Sequence, residues 1–225
     1  MFVAITGYNA AGKSTLIRML EHRLEESGVP YKFIKFDRLF PSHYLKKKVK
    51  KETKLDAAGT VDLRRITGQQ GKWRRHFGLY HFCNTLMCIA VVSLLRLFHW
   101  QTVILSERFF WDRYIHFDES GMLYKVAQAL TPHPNLAFFM LPEQDIWEKR
   151  MAERLRERFG LKSFELSVEE KNELRHVRER FTRFAESTPC AMELDATSSS
   201  HEAAWARLSA WLNERRKITA AKPDA

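Results

Sequence analysis

Cysteine is scarce in this 225-residue chain. Cys83, Cys88 and Cys190 make an odd count, and none forms a C-x-x-C pair. That excludes a disulfide framework and a cysteine-built metal site, and it suits a reducing cytosol. Cys83 and Cys88 lie five apart in an apolar stretch and are expected in the core. The nine histidines are scattered without H-x-x-x-H or similar spacing, so no zinc is expected. Long apolar runs are missing too. The longest, Leu86 to Phe98, is interrupted by Ser93 and Arg96; it is too short to span a bilayer and reads as a buried helix. No charged n-region or apolar h-region precedes residue 2, so no signal peptide is expected and the location is read as cytoplasmic. Internal repeats and low-complexity linkers are absent. That leaves one domain over residues 1–216 and a frayed tail at 217–225.

What is present is a globular composition. Hydrophobic residues make up 45%, with sixteen Phe and six Trp to fill a core. Net charge is +10 and unevenly spread. Lys46, Lys47, Lys48, Lys50, Lys51 and Lys54 cluster on an expected helix at 43–54, and Arg64, Arg65, Lys72, Arg74 and Arg75 follow. A solvated helix face accounts for the lysine run; nucleotide phosphates, nucleic acid or a membrane surface are the anionic partners that also fit. Strands are expected at 2–6, 31–36 (where polar and apolar residues alternate), 102–106, 135–141 and 190–195. Helices are expected at 13–27, 79–99, 119–130, 143–158, 167–186 and 200–216, with Ser167 and Glu170 as a capping box. Strands alternating with helices predict an α/β fold: a doubly wound, mostly parallel five-stranded sheet with helices on both faces. The helix at 79–99 is apolar on more than one side, which suggests a homodimer contact.

Residues 7 to 14, Gly7-Tyr8-Asn9-Ala10-Ala11-Gly12-Lys13-Ser14, fit G-x-x-x-x-G-K-S in full, between a strand and a helix. Glycines let the backbone turn its amides inward, and with the helix N-terminus those amides make a nest for phosphates. Lys13 is expected to reach the β- and γ-phosphates, and the Ser14 hydroxyl to ligate Mg²⁺.

Ligands of such sheets sit beyond the carboxyl ends of the strands. Glu107-Arg108 follows the 102–106 strand: Glu107 is suited to hold Mg²⁺ and Arg108 to bridge phosphates, with a surface ion pair as the alternative. Asp37-Arg38 follows the 31–36 strand: Asp37 is suited to orient the attacking group and Arg38 to hold an acceptor phosphate, with an ordinary loop pair as the alternative. Arg150, Arg154 and Arg158 repeat at i, i+4 and i+8 along one helix side, suited to the charge of a transferring phosphoryl group; pairing with Glu148, Glu153 and Glu157 is the alternative. Gly160 lets the helix stop and a lid begin, over about residues 150–166. Trp111, just past Glu107-Arg108, is a candidate to line the acceptor pocket or to pack in the core.

With these residues the chain resembles the thymidylate kinase-like family of P-loop nucleotide kinases, relatives of the deoxynucleoside kinases. The resemblance covers most of the chain, strongest at both ends and weakest over residues 39–100. It rests on Thr6 to Thr15, Glu107-Arg108, Asp112-Arg113-Tyr114-Ile115, Arg150 and Arg154, Phe164-Glu165, Val177 to Phe181, and Glu193-Leu194-Asp195-Ala196-Thr197. It implies phosphoryl transfer from ATP with Mg²⁺ to a small-molecule acceptor, most simply a nucleoside monophosphate such as dTMP. It implies that Gly7, Asn9, Ala10, Ala11, Gly12, Lys13, Ser14 and Thr15 hold the triphosphate, and that Asp195-Ala196 pack on the adenine. Tyr80, His81 and Asn84 then stand where the family holds its acceptor. The chain departs from the family at Asn9, where an acid is usual, and in having no arginine on the 79–99 helix before Arg96. A deoxynucleoside kinase and a nucleotide-binding regulatory module with little catalysis remain as alternative readings.

Overall fold

A computed structural model describes residues 1–36, 78–99, 101–117, 119–160 and 165–220. Asp37, Arg38 and the lysine run with its expected helix at 43–54 lie outside the described residues.

Five strands form one sheet: β1 (Phe2–Thr6), β2 (Tyr31–Lys35), β3 (Val103–Glu107), β4 (Leu136–Met140) and β5 (Ala191–Leu194). All pairings are parallel, in the order β2-β3-β1-β4-β5. β1 is central, with Val3 paired to Leu105 on one side and to Leu136 on the other. A parallel strand covered on both faces must be apolar throughout, and all five β1 residues are buried.

The side chains of each strand alternate between two cores. Val3, Ile5, Leu105 and Phe138 pack against α1 (Lys13–Glu26) and α7 (Ser198–Ala220) through Leu16, Leu20, Ala204 and Leu208. Phe2, Ala4, Ile104 and Phe139 face the opposite layer. That layer holds α2 (Leu79–Phe98), α3 (Trp111–Tyr114), α4 (Met122–Leu130), α5 (Gln144–Phe159) and α6 (Val168–Glu186). The connection leaving β1 therefore goes to one face, and those leaving β3 and β4 go to the other. Their loops part at the carboxyl end of β1, which opens a crevice there.

Local signals act as expected at several ends. α6 begins with the Ser167–Glu170 capping box, its two bonds 3.2 and 2.7 Å long. α5 ends at Gly160 with φ 63°. α7 runs through Ala220, four residues past the expected stop at 216.

α2 overturns two expectations. It is not buried: it is a 20-residue helix of mean hydropathy 1.6, long and apolar enough to cross a membrane, with only 22% of its apolar window buried. Cys88 is in the core, but Cys83 is exposed. A stretch apolar on every side gives no periodic cue to which side meets the sheet, so burial could not be read from it.

The short α3 is held from outside. Arg180 of α6 is buried and donates to the carbonyls of Tyr114 (3.0 Å), Phe117 (3.0 Å) and Ile115. Its charge is met by Glu119 at 2.9 Å. These are carbonyls at the end of a four-residue helix, where intrahelical partners have run out. Arg180→Ala is expected to cost about 2–3 kcal/mol in urea unfolding, because buried acceptors are left without a donor. The neighbouring Arg183→Ala, whose 3.4 Å pair with Glu119 is solvated, is expected to change stability by less than about 0.5 kcal/mol.

Candidate functional site

The Gly7–Ser14 loop fills the crevice at the end of β1. Gly7 leaves the strand with φ 139°, and a Cβ there would lie 2.7 Å from the Met140 carbonyl oxygen. Gly12, with φ 95°, packs as closely on the turn after β5: its Cβ would sit 2.9 Å from the Ala196 Cβ. Both positions need glycine for conformation and for space. Gly12 also opens α1. Its carbonyl accepts from the amides of Thr15 (3.0 Å) and Leu16 (3.2 Å). No side chain caps this helix, and no acid stands in its first turn. The positive end of α1 thus faces the loop interior without a built-in counter-charge. Ser14 and Thr15 are exposed on that first turn.

Lys13 is buried beneath the loop. Its Nζ donates to the carbonyls of Gly7 (2.6 Å) and Tyr8 (2.7 Å). Burial pushes its pKa down to about 8; Asp112 and Glu107 act upward, Arg108 and Arg154 downward. Two carbonyl dipoles do not replace the water an ammonium has lost, so the loop holds an under-solvated cation.

Asp112 is the acid nearest this charge in effect. One carboxylate oxygen accepts from the Thr6 hydroxyl and from the Phe109 amide at 2.9 Å. Burial raises its pKa, with Lys13 and Arg108 opposing. Asp112 lies in the Asp112-Arg113-Tyr114-Ile115 stretch of the resemblance, which gives it no role. The signal was its setting: an acid inside Phe109-Phe110-Trp111 cannot be buried without partners.

Arg108 takes φ 70°. Its amide donates to the Ile5 carbonyl at 2.8 Å, and its carbonyl accepts from the Ser106 hydroxyl at 2.9 Å. These bonds hold an otherwise unfavourable backbone and aim the guanidinium at the loop, where it donates to Asn9 Oδ1 at 3.1 Å. Glu107 pairs with Lys35 at 3.3 Å, so an ion pair does exist at this strand end.

α5 backs the loop from the other side. Trp147 Nε1 donates to the Asn9 carbonyl at 2.8 Å, and the Tyr8 ring meets Trp147 edge-on at 5.9 Å. One α5 turn further, the Arg150 guanidinium comes within 3.8 Å of the Gly12 Cβ position, and Arg154 acts electrostatically on Lys13. Glu148 pairs with Lys171 at 3.7 Å, not with these arginines. Ala196 adopts φ 66° against Gly12. Asp195 turns into its own loop, accepting from Thr197 N (3.0 Å), Thr197 Oγ1 (2.6 Å) and the Ser200 hydroxyl. These bonds, Ser200 first, hold its pKa down to about 2.

The fold therefore brings Asn9, Lys13, Glu107, Arg108, Arg150 and Ala196 around one loop, with Arg154 near enough to act on the Lys13 charge. The candidate acceptor residues are further along. Tyr80 is exposed, edge-on to His81 at 5.3 Å. His81 Nδ1 lies 3.4 Å from Arg113, an arginine reaching this place from α3 and not from α2. Asn84, one turn on from His81, is buried with both amide atoms lacking a hydrogen-bond partner among the described residues. Trp111 sits in the core between Phe109 (4.8 Å) and Phe139 (4.9 Å), with 4% of its surface exposed. No group of three or more His, Cys, Asp or Glu is placed to hold a metal among the described residues.

No protein-family model matches the chain, and no curated protein matches it.

The state of Lys13 has a measurable signature. The folded chain holds this proton less tightly than the unfolded chain, whose lysine titrates near 10.5. Between pH 8 and 10.5 the unfolded state binds more protons, so this group's contribution to stability rises with pH; below pH 8 its full cost remains. The stability difference between wild type and Lys13→Met is expected to move toward wild type across that window, by up to about 3 kcal/mol, in denaturant titrations at successive pH values.

Proposed function

We propose that this chain is an ATP-dependent phosphotransferase of the thymidylate kinase-like kind, with a P-loop NTPase fold, acting on a nucleoside monophosphate. The observation that carries the reading is the under-solvated Lys13 ammonium, enclosed by the loop, with Arg108 and Arg154 acting on its charge and Arg150 beside Gly12. A polyphosphate entering the loop meets four cations and an uncapped helix end. Its oxygens take the place of the Gly7 and Tyr8 carbonyls at Lys13.

On this reading Lys13 holds the outer phosphates, and Arg108 stands between donor and acceptor. Arg150 and Arg154 belong to a lid that covers the transferred group. Asp112 is a positioning residue, balancing Lys13 and Arg108 from behind. The donor set suits Mg²⁺: the exposed Ser14 hydroxyl and the Glu107 carboxylate are hard oxygens, and such an ion takes few protein ligands. When bound it neutralises phosphate charge. On this reading the turn at Ala196, which packs on Gly12, is the one that meets the adenine.

The acceptor side favours a nucleotide. Arg113 beside His81 supplies the cation that α2 lacks before Arg96, and the orphaned Asn84 amide offers a donor and an acceptor to a base edge. A deoxynucleoside acceptor is the second reading, supported by Asn9, which engages Arg108 through a neutral amide instead of a carboxylate.

Two measurements test this. ATP is expected to raise the melting temperature of wild type and to leave Lys13→Ala unmoved. A coupled ADP-release assay across nucleoside monophosphates and nucleosides is expected to find an acceptor; no turnover with any of them refutes the proposal. Asp112→Asn, which keeps its hydrogen bonds but loses its charge, is expected to lower turnover by about 100-fold while ATP still raises the melting temperature.

A further inference from the structure

β2 ends on a lysine beside the crevice. Lys35 and Glu107 are the last residues of neighbouring strands, and the parallel register sets them side by side. Side chains of a strand alternate between faces, so residues two apart share one. Tyr31 and Phe33 of β2, and Val103 and Leu105 of β3, pack on the α1 core. Lys35 and Glu107 continue those two rows. They therefore stand on the α1 side of the sheet, and α1 exposes Ser14 in its first turn. The 3.3 Å ion pair between them is built by sheet register, not by a chance meeting of loops.

That pair bears on the carboxylate assigned to Mg²⁺. Glu107 acts electrostatically on Lys13, but the cation it touches is Lys35. The Lys35 side chain is 48% exposed and that of Glu107 18%. A pair this open changes an equilibrium only a few-fold. A compact ammonium on a flexible stem also withdraws readily. A divalent cation brings twice the charge to the same hard oxygens. Lys35 and the ion thus want one carboxylate, and Lys35 is the weaker claimant.

We propose that Lys35 competes with Mg²⁺ for the Glu107 carboxylate, and so sets how much of the ion the site needs before it holds a nucleotide. The inference rests on the phosphotransferase reading above. Lys35 acts through Glu107 and is a positioning residue.

Melting curves at one fixed ATP concentration, taken across a Mg²⁺ titration, test this without any turnover. Lys35→Met removes the competing charge and keeps the stem. The Mg²⁺ concentration that gives half of the ATP-dependent shift is expected to fall about threefold. Lys35→Arg, which keeps the charge, is expected to keep the wild-type midpoint. So is Lys32→Met, which takes a cation from the same strand but one that lies 3.5 Å from His99 Nε2. A Lys35→Met midpoint at or above that of wild type overturns the inference. So does an equal fall in Lys35→Arg or Lys32→Met, or ATP protection that needs no Mg²⁺. In each of these cases ATP still protects wild type, and the phosphotransferase reading stands. A wild type that ATP protects at no Mg²⁺ concentration sinks both.

Discussion

The burial of one ammonium group governs the architecture around the crevice. Lys13 sits at the start of α1, under a loop whose only direct offering is two backbone oxygens. Keeping a charge there requires an opposite charge behind it, and Asp112 meets that requirement from α3. Asp112 in turn needs donors, which Thr6 and the Phe109 amide supply. A single desolvated cation thereby ties the ends of β1 and β3 to the first turn of α1. The surplus of positive charge that remains, from Arg108, Arg150 and Arg154, is a field waiting for an anion.

Sheet order makes this convergence possible. With β1 between β3 and β4, the residues that follow three neighbouring strands arrive together: the loop after β1, Glu107-Arg108 after β3, and α5 after β4. β5, outside β4, brings Ala196 to the rim. Close contacts at Gly7 and Gly12 leave these pieces no spare room, so the loop's shape is set by its neighbours as much as by its own glycines.

The parts legible in the sequence were those with a local cause. The loop, its flanking strand and helix, the capping box of α6 and the strand-end pair Glu107-Arg108 all follow from short-range patterns. The parts that were not legible depend on distant partners. Asp112 acquires its place from Lys13, ninety-nine residues earlier. Trp147 reads as one more core tryptophan until its indole is seen to hold the Asn9 carbonyl. Trp111 adjoins the site in sequence, but its ring is drawn into the aromatic core by Phe109 and Phe139. α2 carried no periodic contrast, so its solvent side looked like its core side.

The Arg180 clamp has a further implication. A helix of four residues does not persist alone, because nucleation costs more than so few turns return. The order of α3 is therefore borrowed from α6, sixty-odd residues downstream. If α6 peels from the sheet, the α3 turn dissolves with it, and the carboxylate behind Lys13 drifts off. Partial detachment of one peripheral helix thus removes the counter-charge behind Lys13 while the central strands are still intact, so the crevice loses its order before the sheet does.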